Sequence, residues 1–208
     1  LADPKLEYPF ICLLVSGGHT QIWFVEGLNN YKLMGETRDD AAGEAFDKGA
    51  RILGLGYPGG PEIEKLSKTG DEKSISFPRA LMKNKNLEFS FSGLKTSLLY
   101  YVENQKSILK SDVAASYQAA IIDALITKLK WAMDKTNCKS CVIAGGVASN
   151  QVLRKYVKQT MKNKKVIFPE ISLCTDNAAM IAYLGELYLQ KGISSKIDFP
   201  VLPNMKLT

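Results

Sequence analysis

Apolar and polar positions follow strand spacing most clearly near the start of the chain. The β-rich run Leu13-Leu14-Val15 stops at Ser16-Gly17-Gly18-His19, and Thr20 to Val25 then resumes in alternation. That pattern predicts a strand, a glycine turn and a returning strand. At Thr37-Arg38-Asp39-Asp40 the spacing changes to a helix start, with the Thr37 hydroxyl as cap and an acid three residues on. The predicted helix runs from about Asp39 to Leu53. Ala41, Ala45, Phe46 and Ile52 supply its inner surface, and Asp40, Glu44 and Asp47 fall at i, i+4 and i+7 along one side. The stretch from Gly54 to Pro61 cannot continue that helix and reads as a rigid turn.

Residues 66–111 keep no single period and read as an irregular insertion, with a helix over Leu94 to Val102. Asp112 to Lys135 is the clearest long helix. Val113, Tyr117, Ile121 and Leu125 recur every four residues, and Ile122, Leu129 and Met133 widen the stripe. Val142 to Ala144 has the character of a buried strand, ended by Gly145-Gly146. Ser149 or Asn150 then caps a helix over Gln151 to Met161. A short strand at Lys165 to Phe168 follows. Thr175 is expected to cap a last helix ending near Gly192, with Asp176 in its first turn, and Ile197 to Thr208 reads as loop.

Length and composition narrow the class. The 208 residues fit one domain or one and a half on a prior of roughly 150 residues per domain. With 46% hydrophobic and 23% charged residues the composition is that of an ordinary globular chain with a sizeable core. No apolar run approaches the ~20 residues needed to span a bilayer, and the first residues lack the pattern of a signal peptide. The first residue is not Met, so a fragment of a longer protein is expected. The net charge of +6 permits contact with nucleic acid without demanding it. Its densest basic run is Arg154, Lys155, Lys158, Lys162, Lys164 and Lys165, either a solvated helix face or a phosphate-contacting patch. Cys12, Cys138, Cys141 and Cys174 read as structural thiols of a reducing compartment. Cys138 and Cys141 have metal-like spacing, but no second pair and no nearby His completes a site.

The glycine pairs carry the candidate chemistry. Gly17-Gly18, Gly59-Gly60 and Gly145-Gly146 let backbone approach a ligand, so a shared crevice is expected. Asp47 would sit close to the second of these turns, and Asp is a natural acceptor for ribose hydroxyls. The strand, glycine pair and helix start at 142–151 form a recurrent nucleotide-binding arrangement. It is neither a GxGxxG fingerprint nor a Walker loop. His19, the sole histidine, reads as a satisfied turn residue rather than a catalyst.

With these pieces in view, the chain resembles the TsaD/Gcp (YgjD) family of tRNA adenosine threonylcarbamoyltransferases, which has homologues in KEOPS complexes. The resemblance rests on LLVSGGHTQ, DDAAGEAFDKGA, LGYPGGP, FSFSGLKT, AGGVASNQVLR and CTDNAAMIAY in that order, from about Phe10 to Gly192. It implies an α/β fold of the actin/Hsp70/acetate-kinase (ASKHA) type. Residues 1–174 would be a ribonuclease-H-like lobe with an insertion at about 66–111. Residues 175–208 would return to an N-terminal lobe largely missing here. It also implies that Leu14, Val15, Ser16, Gly17 and Gly18 hold the phosphate or carbamoyl part of a threonylcarbamoyl-adenylate. Asp47 and Gly60 would contact its ribose and adenosine end, and Asn150 would complete the site. Asp176 would be one of three ligands to an iron or zinc ion.

The implied activity is transfer of threonylcarbamoyl to the adenosine next to a tRNA anticodon, in the cytoplasm or an organelle. A TsaB-like paralogue and a TsaE-like ATPase would be its partners, and no membrane. The HxxxH pair of the family's metal site is absent from this chain, so the 208 residues alone are expected to bind no structural metal and to transfer nothing. An exposed interlobe surface is expected to favour self-association. The alternatives are a metalloprotease, disfavoured because no HExxH is present, and a small-molecule kinase of the same fold.

Overall fold

A computed structural model describes residues 2–198, so the stretch 199–208 of the expected tail lies outside the described residues. Five strands form one mixed sheet: β1 (Phe10–Val15), β2 (Thr20–Gly27), β3 (Asn30–Glu36), β4 (Ser140–Ala144) and β5 (Lys165–Ile167). They lie in the order β3-β2-β1-β4-β5, with β1, β4 and β5 parallel and β1-β2-β3 an antiparallel meander. Six α-helices accompany them: α1 (Ala42–Ile52), α2 (Gly59–Ser67), α3 (Ser92–Asn104), α4 (Lys110–Thr136), α5 (Gln151–Thr160) and α6 (Ala178–Gln190). The expected α/β class is present.

The pleat puts Ile11, Leu13 and Val15 on one face of β1, with Ile22, Cys141 and Ile143 of the neighbouring strands, and all are fully buried. That face packs against α4, whose every-fourth stripe of Val113, Tyr117, Ile121 and Leu125 is likewise buried. Tyr117 ties α4 to α1. Its ring fills the space a side chain at Gly49 would need, and its hydroxyl donates to the Ala45 carbonyl at 2.9 Å. Truncating such a side chain typically removes about 3–5 kcal/mol.

Two elements were not foreseen. β3 pairs with β2, and α2 begins inside the stretch expected to be a turn. A third difference concerns the start of α1. Thr37 does not cap it, because its N–H donates to the Thr20 carbonyl and its hydroxyl donates to the Asp40 carbonyl. The helix starts only after Ala41, whose N–H is met by the Glu44 carboxylate, while Thr20 Oγ1 accepts the Ala42 N–H at 2.8 Å. The expected carboxylate stripe is split as a result. Asp40 lies ahead of the helix, where Lys48 bridges it to Glu44 and Lys95 approaches from α3.

Residues 66–111 are not a separate body, since Phe77, Phe89, Phe91, Leu94 and Leu98 join the same core. The Asp39 carboxylate begins α3 by accepting from the Phe91 and Ser92 N–H groups and from the Ser90 hydroxyl. Partial burial opposes its charge, yet these bonds outweigh that and hold its pKa below the ordinary value. Lys128 is fully buried and pins residues 81–86 to α4, donating to the Leu81 and Asn86 carbonyls at 2.8 and 2.9 Å. Burial pulls its pKa down to about 8.

Toward the C-terminal end, α6 has no buried residue, and Ile181 and Leu189 are 64% and 71% exposed. It is capped by Asn177, which accepts the Met180 N–H at 3.1 Å, and not by Thr175. Asp176 therefore precedes the helix and does not sit in its first turn. No described helix is long and apolar enough to cross a membrane.

Candidate functional site

The carboxyl end of β1 is gripped by backbone on two sides. Gly145 follows β4 at φ +95°, and a Cβ there would collide with the Val15 carbonyl. From α1, a Cβ on Gly43 would stand 2.7 Å from the Gly17 nitrogen and the Ser16 oxygen. The Gly43 N–H donates to that oxygen at 3.0 Å. The turn itself closes through the Ser16 N–H to the His19 carbonyl, 2.8 Å, and the His19 N–H to Ser16 Oγ, 3.0 Å. Leu14 and Val15 remain strand residues, Val15 fully buried, whereas Gly17 and Gly18 are exposed with open space where side chains would be.

Asp47 lies in the middle of α1 and reaches across to the next helix. Its Oδ1 accepts the Gly59 N–H at 2.7 Å, inside the first turn of α2. Gly59 has to be glycine at this approach, since a Cβ would come 2.6 Å from the Asp47 Cα. Asn150 is 5% exposed. Its Oδ1 caps α5 by accepting the Leu153 N–H at 2.9 Å, and its Nδ2 donates to Gln118 Oε1 at 2.8 Å. Gln118 Nε2 donates in turn to Ser67 Oγ at 2.8 Å, and Ser67 to the Glu64 carbonyl at 2.9 Å. Of the two caps open in the sequence, Asn150 is the one used.

These pieces face one another. A cavity of about 340 Å³ is bordered by Gly17, Asp47, Gly60 and Asn150, four residues from four separate stretches of sequence. Gly146, Val147 and Ser149 also line it, as do Tyr57, Pro61 and Glu64, and Glu64 Oε1 accepts the Gln151 N–H at 3.1 Å. Tyr57, Glu64 and Val147 had not been singled out. A signal for Glu64 lay in its place one helical turn beyond Gly60. Thr175 also borders the cavity, and the exposed Asp176 follows it directly. The arrangement supplies backbone N–H groups at a glycine turn, carboxylate oxygens and an apolar wall, a set suited to a nucleotide.

Other candidates are placed elsewhere. Of the basic run, Arg154 turns inward to the Ala148 and Pro169 carbonyls, Lys164 donates to the Cys138 carbonyl, and Lys165 pairs with Asp3. Lys155, Lys158 and Lys162 are exposed and make no ion pair among the described residues. All four cysteines are free thiols. Burial lifts the pKa of both Cys12 and Cys141 to about 12, which keeps them protonated and unreactive.

Among known proteins, residues 1–183 match the family described as tRNA N6-adenosine threonylcarbamoyltransferase, TsaD. Curated relatives of that name include one from Thermosipho africanus, 50% identical over 98% of this chain, and one from Kosmotoga olearia, 51% identical over all of it. The chain spans 63% of the length of each. A crystal structure of HypF from T. kodakarensis superposes with a TM-score of 0.68 at 15% identity, over 89% of this chain and 35% of that one, a likeness of fold alone.

Proposed function

The chain belongs to the tRNA N6-adenosine threonylcarbamoyltransferase family, and on that premise we propose that it is the nucleotide-holding part of an enzyme that moves threonylcarbamoyl from its adenylate to N6 of the adenosine beside a tRNA anticodon. One observation carries the reading: Gly17, Asp47, Gly60 and Asn150 border a single cavity. The amine nitrogen attacks the carbamoyl carbon, the bond from that carbon to the phosphate oxygen breaks, AMP leaves with the electron pair, and the nitrogen gives up one proton. The N–H groups of the exposed glycine turn, of which Gly17 borders the cavity and Gly18 does not, are suited to the phosphate. The Asp47 carboxylate, with one oxygen held by Gly59, is suited to the ribose hydroxyls. No histidine borders the cavity, so the chain offers no imidazole base there.

An iron or zinc ion, which the resemblance ties to Asp176, would polarise the carbamoyl oxygen when bound. Among the described residues no three His, Cys, Asp or Glu stand close enough together to share such an ion. A lone Asp176 does not make a centre.

The sheet order also supports reading residues 1–174 as a ribonuclease-H-like lobe of the ASKHA type. In that setting the partners are tRNA, a TsaB-like paralogue and a TsaE-like ATPase, and the location is cytoplasmic or organellar. The exposed Ile181 and Leu189 of α6 support self-association. Neither a protease nor a kinase is favoured by the family match. Calorimetric titration with AMP tests the proposal. Binding that Asp47→Ala weakens about tenfold or more supports it, and a chain that binds no adenine nucleotide overturns it.

A further inference from the structure

Tyr57 stands on the rim of the cavity and is 85% exposed. Tyr117, Tyr156 and Tyr188 all hydrogen-bond through their hydroxyls to partners within the chain. Tyr57 makes no such bond and no aromatic pair among the described residues. Exposed aromatics are ordinary when scattered, and Tyr100, 61% exposed on α3, does not border this cavity. Tyr57 differs in how firmly its backbone is held beside the site. Pro58 fixes the next φ, and Gly59 is wedged against the Asp47 Cα with its N–H bound to the Asp47 carboxylate. Tyr57 is thus one proline away in the chain from the glycine that the Asp47 carboxylate holds, and Pro61 and Val147 line the same cavity.

A flat, unpartnered ring at the mouth of a nucleotide-sized cavity is complementary to the face of a base. Aromatic stacking is indifferent to base edges, and tyrosine loses little rotamer freedom in providing it. We propose that Tyr57 is a stacking platform for the purine of a substrate bound at this cavity, an inference that rests on the nucleotide reading above. The purine has two sources there, the adenylate and the acceptor adenosine, and the chemistry is the same for both.

The test compares the wild-type chain with Tyr57→Ala and Tyr57→Phe, titrated separately with AMP and with an anticodon stem-loop RNA. The expected result is a loss of about 5- to 100-fold in affinity for Tyr57→Ala, with Tyr57→Phe near wild type, because the ring and not the hydroxyl is used. A loss with AMP assigns the ring to the adenylate. A loss with RNA alone assigns it to the acceptor. Unchanged affinity in both titrations overturns the inference and leaves the nucleotide reading standing, whereas a wild-type chain that binds neither probe overturns both. As Tyr57 is exposed and unbonded, the alanine variant folds as the wild type does, and matched urea midpoints check this.

Discussion

Asp47 Oδ1 accepts the Gly59 N–H at 2.7 Å, so one carboxylate both faces the cavity and caps the helix that forms the cavity's far wall. The two roles separate by substitution. Asp47→Asn keeps an oxygen for the cap and stays near wild-type stability. Asp47→Ala strands the N–H and loses about 1 kcal/mol, read from urea unfolding midpoints. Both variants bind AMP more weakly.

The two glycine turns that meet at the end of β1 respond oppositely to a methyl group. Gly145→Ala combines a positive φ with a collision against the Val15 carbonyl, and is expected to lose about 2–4 kcal/mol or to fail to fold. Gly17→Ala finds open space and changes stability by less than about 0.5 kcal/mol. Thermal unfolding of the pair checks the contrast, and any binding defect of Gly17→Ala then belongs to the ligand.

Lys128 gives the chain a pH signature. In the unfolded chain this lysine titrates near 10.5, whereas burial lowers its folded value to about 8, so the unfolded state holds more protons between the two. The burial penalty is present in full below pH 8 and is relieved as pH rises through that window. The stability of wild type minus that of Lys128→Met is therefore expected to grow between about pH 8 and 10.5. Urea titrations at stepped pH measure it, and a flat difference would count against the assignment.

Metal content gives an independent check. The purified chain, treated with a chelator and analysed by mass spectrometry of the elements, is expected to retain no stoichiometric iron or zinc. The reason is that Asp176 has no companion ligands among the described residues.

What could be read from the sequence divides along physical lines. β1, β2, α4 and α5 follow patterns set within the chain segment itself: strict alternation, an every-fourth stripe, an Asn cap. β3 was missed because only Gly35 of its seven residues is buried, and its alignment is imposed by β2. α2 was missed because Gly59-Gly60-Pro61 opens it, a composition that spells turn. Proline is tolerated in a first helical turn, and the capping oxygen comes from Asp47, twelve residues back. The start of α1 was misplaced because Thr37 found a partner in β2, which no local pattern foretells. At the cavity, the glycine pairs, Asp47 and Asn150 were legible from residue type. Glu64 follows one turn beyond Gly60 once 59–67 is known to be helical, whereas Tyr57 depends on how α2 packs, which only the folded chain reveals.

Ser67, Gln118 and Asn150 are joined in series from α2 through α4 to the start of α5, and all three are buried. A series of this kind restricts evolutionary drift: replacing one member with an apolar residue leaves the next without its bond, at about 1–3 kcal/mol. The three positions should then co-vary in divergent sequences, changing together or not at all. The interior would thereby write a record of itself that runs from the cavity border at Asn150 back to Gln118 and Ser67, two positions that do not line it.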